Sequence, residues 1–357
     1  MKSIIVSPSL DPSHNVSGIS SITQFIISNN QDVNYLHFEL GKKDKERGGI
    51  FRVKSIINSL IKWNKLLKSH PEAIIHYNFP LSKPAILRDP LFMYIARKRN
   101  MKMIIHIHGG NFLTATYTPL YLKWILRKVF SLPVPVIALS KSEKNIINTK
   151  FKCDNVFILP NCVDLNIAAK FQKKTNQEKN YLTIGYIGRI AKTKGMDYLL
   201  KACKILKEKN IPFILRLAGM EEIPNQYLPI FHKDLKNNFI YDGIVSDEKK
   251  TEFLKNLDVF VLPSFFEGLP MSLIECMSYG VVPLTTSVGS ISEVVQHDQN
   301  GIIIKAKDEN SIVEQYLRIY TNRKLLKKLS IEAKRTVFTK FDTFTYIKEL
   351  NNIYQNA

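Results

Sequence analysis

Short apolar runs alternate with amphipathic stretches along the whole chain. Runs of branched and aromatic residues at 3–7, 33–40, 73–79, 102–108, 134–139 and 156–159 have strand length, and stretches at 18–28, 52–68, 119–130 and 141–149 repeat apolar residues at helical spacing. Ser140 with Glu143 opens the last of these as a capping box. A second series predicts strands at 182–187, 213–218, 239–241, 259–262, 282–285 and 301–304, with helices between them. Alternation of this kind predicts parallel sheets joined by crossover helices. The polar stretch 166–180 (NIAAKFQKKTNQEKN) reads as a linker between domains at 1–165 and 181–340, leaving 341–357 as a C-terminal helix that packs back on the first domain. The expectation is an α/β protein with two Rossmann-like, doubly wound domains facing a central crevice. Ligands of such folds bind at the carboxyl ends of the strands, so function belongs to the loops that follow strands.

The length of 357 residues fits two such domains. No run reaches the roughly 18–20 apolar residues of a membrane span, and the longest candidate, 129–139, is broken by Ser131, Pro133 and Pro135. Residues 1–7 read as a first strand rather than a signal peptide. Cys153, Cys162, Cys203 and Cys276 form no C-x-x-C pair, which suits a reducing cytosol and neither a disulfide framework nor a zinc ribbon. The expected setting is the cytoplasm, with contact to the inner face of the cell membrane left open.

Charge changes the picture. Lys and Arg number 51 against 31 Asp and Glu, a net +20, and residues 1–170 hold 24 basic and 10 acidic residues of that total, a net +14. A basic first half suits an anionic partner: a phosphorylated small molecule, an anionic lipid surface or nucleic acid. A generally lysine-rich, solvated surface is the plain alternative. The basic stretch from Lys42 to Lys68 interleaves cations with Ile56, Ile57, Leu60 and Ile61, and can lie on an anionic leaflet or bury its apolar face as a crossover helix.

The strongest chemical signal is PSFFEGLPMSLIE, from Pro263 to Glu275, directly after the strand 259–262. It turns at Glu267-Gly268, starts a helix with Pro270 at its first position, and meets a helix stop at Gly280. Backbone N–H groups between Gly268 and Leu273, Pro270 excepted, would hold an anion at that helix N-terminus. Glu267 and Glu275 could accept hydrogen bonds from two separate sets of hydroxyls, or could be acids favoured by the helix dipole. After the strand 182–187 come Gly188-Arg189 and Lys192-Thr193-Lys194-Gly195, where Arg189 and Lys194 make a plausible diphosphate clamp or merely solvated loop cations.

Gly188-Arg189, Lys194-Gly195 and the E-x(7)-E spacing of Glu267 and Glu275 together resemble the GT-B glycosyltransferases of family 4, retaining enzymes that use activated sugars. Pro160–Asp164, Ala218-Gly219, Asp242-Gly243, Val288-Gly289 with Glu293-Val294, and Asn300-Gly301 follow the family order. The resemblance implies that Arg189 and Lys194 bind the donor diphosphate, Glu275 the ribose and Glu267 the transferred sugar, with the backbone of Gly268, Leu269, Pro270 and Met271 beside them. Ile244 would line the base pocket, and Gly18 would approach the donor phosphates, although the usual glycine pair is Ser17-Gly18 here. Cys162 stands where the family usually has glycine and is expected to pack rather than react. His108, after the strand 102–107 and before Gly109-Gly110, would lie near the sugar's primary hydroxyl and the reacting centre, with His106 structural.

The expected activity is transfer of a sugar, with retention, from a UDP- or GDP-linked donor to the hydroxyl of a glycan or lipid-linked glycan, in surface polysaccharide assembly. The absence of a D-x-D triplet and of H-E-x-x-H predicts that no metal or other cofactor is needed, cationic side chains and a helix N-terminus supplying the charge. No G-x-G-x-x-G or P-loop follows a strand, which weakens dehydrogenase and NTPase readings. The rivals are a nucleotide-sugar epimerase or sugar phosphorylase on the same fold, and an inactive frame that docks on anionic surfaces or nucleic acid; no nucleic-acid partner is expected of the transferase.

Overall fold

The protein is seen in a computed structural model that describes residues 1–12, 14–15, 17–41, 50–115, 117–173 and 179–357. The chain divides into two compact units, one made of Met1–Asn161 with Thr343–Ala357, the other of Cys162–Asp342.

The first unit runs β1 (Lys2–Ser7), α1 (Gly18–Asn29), β2 (Asn34–Glu39), α2 (Ile50–Ser69), β3 (Ile74–Phe79), α3 (Lys83–Lys98), β4 (Met103–Ile107), α4 (Asn111–Thr114), α5 (Leu120–Phe130), β5 (Val136–Ala138), α6 (Lys141–Phe151) and β6 (Val156–Ile158). The second runs α7 (Asn166–Lys170), β7 (Leu182–Ile187), α8 (Met196–Glu208), β8 (Phe213–Ala218), α9 (Leu228–Leu235), β9 (Phe239–Gly243), α10 (Asp247–Lys255), β10 (Val259–Leu262), α11 (Met271–Ser278), β11 (Val282–Thr286), α12 (Ile291–Val294), β12 (Ile302–Ile304), α13 (Glu309–Thr321) and α14 (Arg323–Lys340). A last helix, α15 (Thr343–Gln355), belongs to the first unit.

Each unit holds a six-stranded parallel sheet, in the orders β2-β1-β3-β4-β5-β6 and β12-β11-β10-β7-β8-β9. Both are doubly wound, as the alternation predicts. The division falls before Cys162 rather than at a linker, and the 166–180 stretch opens with helix α7 inside the second unit; residues 174–178 lie outside the described ones. The strand expected at 134–139 shrinks to Val136–Ala138, because Pro135 has no N–H for the ladder and the Leu139 N–H goes to the Glu143 carboxylate. In the capping box, Glu143 N–H donates to Ser140 Oγ (3.2 Å), while the Glu143 carboxylate accepts from Leu139 N–H (2.9 Å), one residue before the cap.

The first core is centred on Trp63, Phe38 and Phe92, with ring centroids 4.8–6.3 Å apart. Trp63 and Leu67 bury the inner side of α2, and Trp63 Nε1 donates to the carbonyl of Phe92 (3.0 Å). The crossover-helix reading of this stretch therefore holds for 50–69, while its start at 42–49 lies outside the described residues.

A polar thread crosses the interior of this unit. Tyr354 of α15 meets His76 Nδ1 (2.7 Å), His76 Nε2 meets His106 Nδ1 (3.1 Å), and the His106 ring lies 4.2 Å from that of His108. Burial lowers His76 and His108 to about 3, with the charge of His108 adding to the shift of His76; burial and the two neighbouring rings hold His106 well below the imidazole range. The rings are thus neutral when folded and take up protons when unfolded. Stability is complete above the unfolded value of about 6.5 and is lost as pH falls toward 3. At pH 5 the loss for His76 and His108 is roughly 2 kcal/mol each. The melting temperature is expected to fall by about 10 °C between pH 7 and pH 5; an unchanged melt over that range would contradict the neutral assignment.

Candidate active site

Parallel pairing brings the loops after β10, β7, β8 and β9 to one end of the second sheet. The loop after β7 forms a single 3-10 turn, Lys192–Lys194, that ends at Gly195. Gly195 has φ 77°, and a Cβ there would stand 2.2 Å from the carbonyl oxygen of Pro263, so the two loops close to backbone contact only with glycine. Phe265 N–H donates to the Thr193 carbonyl (3.0 Å) and fixes their register.

That contact sets Lys194 against Glu267. Lys194 Nζ lies 2.6 Å from Glu267 Oε1, and the buried Ser264 hydroxyl donates to the same oxygen (2.7 Å). Thr286 Oγ1 in turn donates to the Ser264 carbonyl (2.6 Å). A third loop, after β11, leans on this turn. Ser290 N–H donates to the Gly268 carbonyl (3.1 Å), and a Cβ on Gly289 would lie 1.9 Å from the Glu267 carbonyl oxygen. Arg189 is half-buried at the end of β7, where the Tyr186 hydroxyl donates to its carbonyl (2.6 Å). Burial, and then the charge of Glu267, push the Tyr186 hydroxyl well above its ordinary range, so it stays a neutral donor.

Helix α11 begins at Met271, with Pro270 as its cap rather than its first residue. Pro270 is extended at φ −65° and ψ 126°, and its carbonyl accepts from Leu273 N–H (3.2 Å). The helix stops at Gly280, as expected. Glu275, on its second turn, pairs with Lys250 of α10. Burial opposes the charge of Lys250, and Glu275, by attraction and hydrogen bond, overcomes it and raises its pKa. Ile244, at the end of β9, exposes an apolar side chain to solvent.

The structure thus gathers Arg189, Lys194, Glu267, Gly268, Leu269, Pro270, Met271, Glu275 and Ile244 around the carboxyl ends of β7, β9 and β10. Gly18 and His108 belong to the first unit. Gly18 opens α1, whose cap Ser17 accepts from Ser20 N–H (3.2 Å). His108 Nε2 meets Asn78 Oδ1 (2.6 Å), and Asn78 Nδ2 donates to the Val6 carbonyl (2.9 Å). That orientation makes His108 Nε2 the protonated nitrogen and leaves Nδ1 as an acceptor. Cys162 packs as expected, its thiol directed at the Phe341 carbonyl (3.1 Å).

Sequence reasoning missed Lys250, Ser264 and Tyr186 as parts of this arrangement. Ser264 stood inside the quoted motif, Tyr186 reads only as an alternate strand position, and nothing in a linear pattern links Lys250 to Glu275.

Residues 168–336 match the family model of glycosyl transferases group 1. That stretch is similar to group 1 glycosyltransferases and contains the loops after β7, β10 and β11 just described. An uncharacterised glycosyltransferase of Methanocaldococcus jannaschii is 26% identical over 236 residues, 62% of this chain and 60% of that protein's length. The UDP-Gal:alpha-D-GlcNAc-diphosphoundecaprenol alpha-1,3-galactosyltransferase of Escherichia coli is 26% identical over 314 residues, 84% of this chain and 79% of its own. Among solved structures, Anabaena HepE in complex with UDP aligns over 100% of both chains with TM-score 0.75 and 14% identity, a likeness of fold.

Proposed function

We propose that this chain is a group 1 glycosyltransferase that moves a sugar from a UDP-linked donor to a hydroxyl of a lipid-linked glycan, with retention and without a metal, at the cytoplasmic face of the membrane. The observation that carries the reading is the convergence of the Lys194-Gly195 and Ser264–Met271 loops, which puts Arg189, Lys194, Glu267 and a helix N-terminus at one sheet end. The names of the E. coli and Anabaena proteins favour uridine as the base and a diphosphate-linked lipid as the acceptor carrier.

In this reading the donor's C1–O bond to the β-phosphate breaks. The acceptor oxygen joins C1 on the same face, and its proton passes to the departing diphosphate oxygen. Arg189 and Lys194 take up the charge on the leaving diphosphate, which preorganised cations do without reorganisation. Glu275 holds the ribose hydroxyls, Glu267 the sugar and Ile244 the base.

A thermal-shift panel of nucleoside diphosphates and nucleotide sugars at fixed salt tests the donor site. UDP is expected to raise the melting temperature, with the gain lost in Arg189→Ala and Glu275→Ala. GDP stabilisation in its place would change the base, and no shift with any nucleotide, well above a millimolar dissociation constant, would overturn the reading.

A further inference from the structure

The crossovers β2–α2–β3, β3–α3–β4 and β4–α5–β5 all step the same way across the first sheet, so a common hand lays α2, α3 and α5 on one face. Helix α2 packs on α3 and α3 on α5, forming one continuous layer. Each helix buries its inner side, yet each also shows an apolar stripe to solvent. On α2 the stripe is Val53, Ile57 and Ile61, at four-residue spacing opposite the buried Trp63. On α3 it is Leu87, Leu91 and Tyr94, opposite Ile86, Phe92 and Met93. On α5 it is Leu120, Tyr121 and Trp124, with Trp124 62% exposed.

Charge tells what covers this layer. Helices α2 and α5 hold no acidic residue, and the one on α3, Asp89, is buried against Arg88 (2.6 Å). Exposed cations border every stripe: Lys54 and Lys62 on α2, Arg97 and Lys98 on α3, Arg127 and Lys128 on α5. Lys128 Nζ lies 5.8 Å from the centre of the Trp124 ring. Among the described residues no helix is long and apolar enough to cross a membrane. Apolar stripes with Trp and Tyr, edged by cations and free of exposed acids, match the boundary between acyl chains and anionic head groups.

We propose that the outer face of α2, α3 and α5 docks on an anionic lipid bilayer, with Trp124 and the flanking stripes entering the head-group boundary. The proposal deepens the membrane setting of the transferase reading and rests on it for its purpose, while its test needs no activity. Trp63 and Trp124 are the two tryptophans, and Trp63 is 0% exposed, so a change in emission on docking reports Trp124.

The full chain is mixed with phosphatidylglycerol-rich vesicles and, separately, with phosphatidylcholine vesicles, and both co-sedimentation and tryptophan emission are read. Binding to the anionic vesicles with a blue shift is expected, weakened by salt and weaker on the neutral ones. Trp124→Phe should abolish the emission change. Ile57→Glu with Leu91→Glu, both at exposed positions, should weaken binding about tenfold or more and leave the melting temperature and its response to UDP intact. No sedimentation with either vesicle, or binding without a Trp124 response, would overturn the proposal. So would a dimer in sedimentation velocity that the double variant dissolves, since a second copy would then cover the face. Vesicle binding without any UDP response would instead sink the transferase reading and leave the docking face standing.

Discussion

Glu267→Gln is expected to lower turnover about 100-fold while nucleoside diphosphate affinity is kept or rises. Glu267 Oε1 holds both the Lys194 ammonium and the Ser264 hydroxyl. A diphosphate that reaches Lys194 competes with this carboxylate for the same cation. The amide keeps the shape of the side chain and removes the competing charge, so Lys194 is more available to phosphate oxygens. In the proposed reading, what is lost is the charged acceptor that orients the sugar's hydroxyls, and that loss weighs on the reacting state. A fall of about 100-fold corresponds to roughly 2.7 kcal/mol of transition-state stabilisation. Calorimetric UDP titration beside steady-state kinetics separates the two effects. Weaker UDP binding with unchanged turnover would show that Glu267 serves the diphosphate and not the sugar.

Gly289→Ala should be as damaging, although position 289 carries no side chain that could touch a substrate. Gly289 has φ 57°, where an alanine costs about 1–2 kcal/mol, and its Cβ would fall 1.9 Å from the Glu267 carbonyl oxygen and 3.0 Å from that of Gly268. Both obstacles are backbone, so the 267–268 turn must move and draw Glu267 away from Lys194 and Ser264. Turnover is expected to fall about 100-fold, since small misplacement of a positioned group has that effect. Gly243→Ala is the control: φ is 72° there, yet nothing lies within 4 Å of the new Cβ, so strain alone is added. If the two variants behave alike, contact between the loops is not what places Glu267.

Much of this was legible in the sequence because the signals were local. Strand runs in a parallel sheet are continuous and apolar, which is why the twelve predicted strands correspond to β1–β12 with shifts confined to their ends. The turn at Glu267-Gly268 and the stop at Gly280 were likewise readable from a few adjacent residues. Pairings across the chain were not. Lys194 and Glu267 lie 73 residues apart and meet only because β7 and β10 are neighbours in the sheet. Lys250 reaches Glu275 because α10 and α11 flank β10, a juxtaposition that no periodicity reports. The stretch around α2 shows a further limit. Its apolar residues occupy two sides, Trp63 and Leu67 within and Val53, Ile57 and Ile61 without, so burial and an outward apolar stripe coexist on one helix.

The central claim is the transfer of a sugar from a nucleotide diphosphate donor, and NMR of a reaction mixture reads it most directly. The full chain is incubated with a panel of UDP-linked sugars and short-chain polyprenyl diphosphate glycans as acceptors, and both UDP release and the anomeric signal of the product are followed. The account predicts UDP release from one donor, dependent on acceptor and lost in Arg189→Ala, with the donor's anomeric configuration kept in the product. An inverted product would contradict the retaining route, and no UDP release from any donor, with a folded protein that binds UDP, would contradict the claim itself.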